Sequence, residues 1–479
     1  MRNYPTYKKI GFLLGPILFL IILFYPKEII NPIAHHVIAV AAWMICWWVT
    51  EAVSISVTAL IPLTIFPLVG IMPIAEVAKS YAHPIVFLFF GGFIIALALE
   101  KVNLHRRIAL SILKLTGTNA DGVVLGFMLA TALMSMWISN TASTVVMLPI
   151  ALSVIKLLIN DEDGFTKNDQ NFSLSIMLGI AFSANIGGMA TIVGTPPNMV
   201  MVGVMKDQYD IDIGFFNWMM MGVPFAIVML MIAYFFLVKV FYPNNLGQLK
   251  ASGNIIDMEL KKLGKVSRAE KVVLVIFLTT AFLWMIRSKL EIYFPQITDT
   301  GISMLGALAL FVFPLDFKNG KFTLDWKDTS KLPWGILILF GGGLALAGGL
   351  KTAGLIDLIG NTIAQQEGLS IFIITTLLIF VMLFMTELMS NVALVNIFVP
   401  VVAGIAIGLQ VPILQIVIPV TLAASCAFML PMATPPNAIV FASGHIKVFE
   451  MAKVGIVLNI ISIMLLVGIT YLFIPILFG

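Results

Sequence analysis

The segment Trp137-Ile-Ser139-Asn140-Thr141-Ala-Ser143-Thr144 carries five hydroxyl or amide side chains among eight residues, in the middle of an apolar run. Ser, Asn and Thr cap helix N-termini. A helix that starts here directs free N–H groups and the positive end of its dipole at whatever precedes it. That is an anion site built without a charged side chain. Ser390-Asn391 repeats the feature 251 residues later. A lone Ser-Asn reads equally well as polar glue between helices. Two in register, each followed by Thr-Pro-Pro-Asn, point to a binding site.

The Thr-Pro-Pro-Asn elements stand at Thr195-Pro196-Pro197-Asn198, after Gly194, and at Thr434-Pro435-Pro436-Asn437, after Ala433. Paired prolines remove two N–H donors and stop a helix. In lipid, the backbone groups so freed must be met by protein, water or ligand. Carbonyl and hydroxyl oxygens gathered there suit a hard cation. No Lys, Arg, Asp or Glu occurs in 122–155, 174–205 or 388–446. An anion held there meets only helix ends, each worth roughly half a charge, so bound cations would complete its neutralisation. The nearest cations outside the motifs are Lys114, Lys156 and His445. Glu387, beside the second tip, reads either as a functional carboxylate or as a brace for the hairpin.

The elements that position these residues follow from composition. Of 479 residues, 60% are apolar and 11% charged, against roughly 25% charged in soluble domains. The chain reads as an integral membrane protein. A net charge of +4, with no basic stripe, gives no reason to expect a nucleic-acid partner. The five histidines show no metal spacing, and no nucleophile–base set appears, which counts against an intramembrane enzyme. A channel would need a continuous polar stripe, whereas polarity clusters at two points.

Eleven apolar stretches are long enough to cross a bilayer: 10–26, 33–50, 53–70, 84–100, 174–205, 214–242, 270–290, 299–314, 333–350, 411–444 and 451–478. Two more, 122–159 and 370–409, read as re-entrant hairpins broken at Ser-Asn. With the N-terminus inside and the C-terminus outside, 22 of the 28 Lys and Arg residues fall on the cytoplasmic side. The amphipathic segment 104–114 reads as an interfacial helix, and 243–269 as a cytoplasmic connector.

The halves repeat. Phe90-Gly-Gly returns as Phe340-Gly-Gly, Pro149 as Pro400, and Gly194-Thr-Pro-Pro-Asn198 as Ala433-Thr-Pro-Pro-Asn437. After an N-terminal helix (1–32), residues 33–242 and 270–479 each hold five crossings and one hairpin, so the second copy is inverted. Inverted repeats with broken helices mark secondary transporters.

At these residues the sequence resembles the divalent anion/sodium symporter family of di- and tricarboxylate carriers. Ser139-Asn140-Thr141 is similar to its first signature, Ser390-Asn391-Val392 to its second, and 425–437 to its C-terminal one. The resemblance implies a homodimer working by an elevator motion in a bacterial inner membrane. A transport domain would hold both hairpins, 174–242 and 411–478, and a scaffold the rest. It implies a substrate site at Ser139, Asn140, Thr141, Thr195, Pro196, Ser390, Asn391, Val392, Thr434 and Pro435. A first sodium would lie at Ser139, Asn140 and Gly194, and a second at Ser390, Asn391 and Ala433, with no covalent cofactor. The second tip departs from the pattern: Val392 and Val395 stand where the first has Thr141 and Thr144. That loss of hydroxyls weakens the second cation site and favours exchange of C4/C5 dicarboxylates (malate, succinate, fumarate, 2-oxoglutarate). The alternative is sodium-coupled symport.

Overall fold

The computed structural model describes residues 5–25, 31–159, 165–364 and 370–478. Part of the polar loop 160–171, namely 160–164, therefore lies outside the described residues, as do the end of the first expected span and most of the loop before the second hairpin.

The first half opens with α1 (Thr6–Phe24) and α2 (Pro32–Thr50), then three short helices, α3 (Ile55–Thr58), α4 (Ile61–Leu68) and α5 (Ile74–Tyr81). It continues with α6 (Pro84–Lys101), α7 (Leu104–Leu115), α8 (Ala120–Ser135), α9 (Asn140–Ile159), α10 (Lys167–Gly188), α11 (Pro196–Tyr209) and α12 (Phe215–Phe235), which ends in a π-helical turn, Phe236–Phe241. After α13 (Lys250–Leu263), the second half has α14 (Arg268–Leu290) and α15 (Asp299–Val312). A two-stranded hairpin, β1 (Pro314–Asp316) and β2 (Lys321–Phe322), and a 3-10 turn, Trp326–Lys331, lead into α16 (Trp334–Thr352) and α17 (Leu355–Ala364). There follow α18 (Ile371–Thr386), α19 (Asn391–Gly408), α20 (Ile413–Ala423), α21 (Pro435–Ala442), α22 (Val448–Leu472) and α23 (Ile474–Phe478). Among the described residues, nine helical stretches are long and apolar enough to cross a membrane, and six shorter apolar ones accompany them.

Both expected hairpins are helix pairs, α8/α9 and α18/α19, turning at the two Ser-Asn sites. Both expected broken helices are broken, over 189–195 and 424–434. α10 runs through the centre of the protein, with every residue from Phe172 to Gly188 buried.

Two spans differ from expectation. Residues 53–70 form two short helices instead of one crossing. Pro62 cannot donate the amide that a continuous helix needs, and the Tyr81 hydroxyl donates to the carbonyl of Ala59 at the break. Span 299–314 ends at Val312, because the chain turns extended at Phe313 and enters β1.

The connector is itself structured. Its helix α13 meets the polar face of α7, where Arg106 pairs with Glu259 and Lys114 Nζ lies 2.7 Å from Asp257. Arg107 reaches past it to Glu270 of α14 at 2.6 Å. The polar face of α7 is thus occupied by protein carboxylates. The Lys114 ammonium holds the Asp257 carboxyl below its ordinary range, and Lys262, with Arg106, does the same for Glu259.

Candidate functional site: four helix N-termini around one cavity

A cavity of about 920 Å³ lies where four helices begin. α9 starts at Asn140, with the Ser139 hydroxyl accepting from Ala142 N at 3.1 Å. α19 starts at Asn391, capped by Ser390 on Ala393 N at 3.5 Å. α11 follows Thr195 and α21 follows Thr434, each with proline at its first position. Proline suits that position because its missing N–H would have no partner there. The structure brings every residue of the expected site together: Ser139, Asn140, Thr141, Gly194, Thr195, Pro196, Ser390, Asn391, Val392, Ala433, Thr434 and Pro435 all line this cavity. Uncapped backbone N–H groups and four dipole ends make its potential positive at the tips.

The two tips differ in what their amides do. The Asn140 amide is engaged. Oriented to satisfy its neighbours, its nitrogen donates to Ser135 Oγ at 2.6 Å and to the carbonyls of Gly194 and Ala184, both at 3.2 Å. Gly188 makes this approach feasible, because a Cβ there would stand 2.5 Å from the amide. Asn391 lines the cavity half-buried, and its side chain makes no hydrogen bond to a described residue.

The hydroxyls divide likewise. Thr144 donates to Asn140 O at 2.9 Å and Ser143 to Ser139 O at 3.2 Å, inside their own helix. Thr141 is exposed in the cavity. Of the two hydroxyls missing from the second tip, therefore, only the one at Val392 is lost to the cavity. Val395, the counterpart of the buried Thr144 in the second half, is fully buried.

The asparagines of the two Thr-Pro-Pro-Asn elements answer the backbone breaks. Asn198 Nδ2 donates to Thr191 O at 2.9 Å and Met189 O at 3.4 Å. Asn437 Nδ2 donates to Ala427 O and Leu430 O, both at 3.1 Å. Glu387 serves the second break in the opposite sense, accepting from the backbone N–H groups of Phe428, Met429 and Leu430 at 2.8–3.0 Å. The carboxylate is a brace.

Sequence reasoning missed several wall residues. Asn185 reaches the cavity from α10; a lone amide in an otherwise apolar stretch was the available signal. Tyr7, Glu51, Glu100 and Lys331 line the cavity from helix ends, where nothing local marks them. Lys114, Lys156 and His445 do not line the cavity. Among its described lining residues the one cation is Lys331.

Nearly the whole chain, residues 8–479, matches the family described as the sodium:sulfate symporter transmembrane region. Two curated relatives carry the name sodium-dependent dicarboxylate transporter SdcS. The one from Staphylococcus saprophyticus is 37% identical over 482 residues, covering 99% of this chain and 93% of the relative. One from Staphylococcus aureus is 37% identical over 486 residues, covering 100% and 93%. The fold is similar to that of Neisseria gonorrhoeae MtrF, with TM-score 0.58, 12% identity and 98% and 95% of the two chains covered. It is also similar to the Alcanivorax borkumensis YdaH transporter, with TM-score 0.55, 10% identity and 98% and 99% covered. This is an integral, multi-pass membrane transport protein. It belongs to the sodium:sulfate symporter family, which also holds the divalent anion/sodium carriers that its motifs resemble.

Proposed function

We propose that the protein is a sodium-coupled secondary carrier of C4/C5 dicarboxylates in a bacterial inner membrane. The observation that carries this reading is the convergence of four helix N-termini on one cavity whose tip residues bear no charge. Such a site favours small anions by dipoles and N–H groups, and two carboxylates suit two tips facing one space. The names of the relatives, which state sodium dependence and dicarboxylate transport, support the same substrate class and coupling ion.

Sodium fits as the second cargo. Ser135 Oγ, Ala184 O and Gly194 O gather around one side of the Asn140 amide. An amide nitrogen satisfies them in one orientation. With its oxygen turned to them, the same oxygens resemble a hard-cation site. A second site at Ser390, Asn391 and Ala433 would rely on backbone carbonyls, since Val392 brings no hydroxyl.

The sequence argument for exchange rested on two missing hydroxyls. One of them has no counterpart facing the cavity, and sodium dependence in the relatives favours symport. We therefore place symport first. The two inverted repeats, the division into scaffold and transport domains, the elevator motion and the homodimer belong to the same proposal. So does an inward-facing state, since Tyr7, Glu51, Glu100 and Lys331 line the cavity on the side that charge placement makes cytoplasmic.

Uptake of labelled malate, succinate, 2-oxoglutarate and citrate into proteoliposomes tests this. A sodium gradient should drive accumulation without internal substrate. Uptake that requires internal dicarboxylate and ignores sodium would restore exchange. No uptake of any of the four would remove the substrate class.

A further inference from the structure

Asn185 sits on α10, outside every motif, and is 1% exposed. Its Nδ2 donates to Thr434 Oγ1 at 3.0 Å, to Ala427 O at 3.3 Å and to Asn437 Oδ1 at 3.4 Å. The direction of these bonds is fixed by what lies behind them. Asn437 gives its Nδ2 to two carbonyls, Ala427 and Leu430. A carbonyl only accepts, so the Asn437 oxygen must face Asn185, and Asn185 must present its nitrogen. The same nitrogen then donates to the Thr434 hydroxyl. Asn437 N donates to that oxygen as well, at 3.5 Å. A hydroxyl has two acceptor sites and one proton. Both acceptor sites of Thr434 are taken from the protein side, no acceptor among the described residues takes its proton, and the residue lines the cavity.

We infer that Asn185 is a positioning residue for substrate: through the chain Leu430 O–Asn437–Asn185–Thr434 it commits the Thr434 hydroxyl to donate into the cavity, towards a substrate carboxylate. This rests on the dicarboxylate reading above. It also accounts for the unequal tips. The first half has no such chain, since Thr195 makes no side-chain capping bond and Asn198 turns only to backbone carbonyls. It offers Thr141 instead. The second half lacks that hydroxyl at Val392 and has a donor set in advance at Thr434. Fixing a donor before binding removes the cost of orienting it afterwards.

The test is a double-mutant cycle read as the dissociation constant of labelled succinate for the purified protein in sodium. Asn185→Asp replaces the donor by an acceptor and turns the Thr434 proton inward. Thr434→Val removes the hydroxyl. Each should weaken binding by about ten- to a hundredfold, the worth of one hydrogen bond to a charged group. The double variant should be little worse than either alone. Asn185→Leu, which removes the donor without adding charge, should show the same lack of additivity. Thr434→Ser, which keeps the hydroxyl, should keep the sensitivity to Asn185→Asp that Thr434→Val has lost. Additive effects, or unchanged affinity in Asn185→Asp and Asn185→Leu, overturn the inference while leaving the carrier intact. If the wild type binds neither succinate nor the other dicarboxylates, the functional reading fails and this inference falls with it.

Discussion

Glu387 and Asn459 meet at 2.7 Å, the Asn459 amide donating to the same Oε1 that accepts from Phe428 N and Met429 N. With Leu430 N on Oε2, four donors surround a carboxylate that is 3% exposed. A buried acid is tolerated where its charge is met by hydrogen bonds, and three of these donors are backbone N–H groups of the non-helical segment between α20 and α21. Glu387 therefore ties the end of α18 to the middle of the break and to α22.

Glu387→Gln should destabilise the protein. The glutamine amide places N–H groups where only acceptors are wanted, and leaving one or two buried donors unmet costs about 1–3 kcal/mol each. Thermal melting in detergent should shift downwards, with sodium dependence unchanged in whatever protein remains folded. An unchanged melting temperature would show that the four bonds contribute nothing to stability.

Asn140→Ala and Asn391→Ala should each abolish or nearly abolish uptake, by different routes. The Asn140 amide is committed to Gly194 O and Ala184 O, so its loss should appear first as a weakened response to sodium. The Asn391 amide is unengaged in the cavity, so its loss should appear as weaker succinate binding at saturating sodium, by about ten- to a hundredfold. Identical sodium and succinate titrations for the two variants would contradict this division.

Gly188→Ala should mimic Asn140→Ala. The new methyl would stand 2.5 Å from the Asn140 amide, and overpacking a tight core costs about 1–3 kcal/mol. Sodium titration of uptake and a melting curve together read it. Wild-type values in both would remove Gly188 from the site.

Lys331→Gln should raise the KM for a dianion presented on its side of the membrane, with kcat unaltered. A single exposed charge acts on a doubly charged solute by only about three- to tenfold at low ionic strength. The effect should vanish near 1 M choline chloride at fixed sodium, where the Debye length falls to about 3 Å. Lys331→Arg should behave like the wild type. A salt-independent KM difference would argue for a contact role instead.

Acid should loosen the pairing of α7 with α13. Asp257 and Glu259 are held below their ordinary carboxylate range by Lys114 and by Lys262 with Arg106. A depressed folded-state value means that the contribution is complete at neutral pH and is lost as pH falls through that value. Protection of the backbone at 253–263 against hydrogen exchange, taken relative to the intrinsic exchange rate at each pH, should be constant between about pH 7 and 5 and fall below about pH 4. Loosening already between pH 7 and 5 would assign the pairing to other groups.

The sequence by itself determined the membrane class, the two hairpins, the two breaks and the identity of the tip residues. Those features are local: apolar run length, proline's missing N–H, and side chains that cap helices act within a few residues of chain. Its motifs at 139–141, 390–392 and 425–437 also carried the resemblance to the family to which the chain belongs. Tertiary structure decided what each polar group faces. Thr144 and Thr141 look alike in sequence, yet one is spent on its own helix and the other lies open in the cavity. Asn140 and Asn391 match by spacing, yet only the first has Ser135, Ala184 and Gly194 around it. Asn185, Asn459 and Lys331 come to the site or its brace from far along the chain. Hydrogen bonds act over about 3 Å, and no one-dimensional pattern records which distant group folding will bring within that distance.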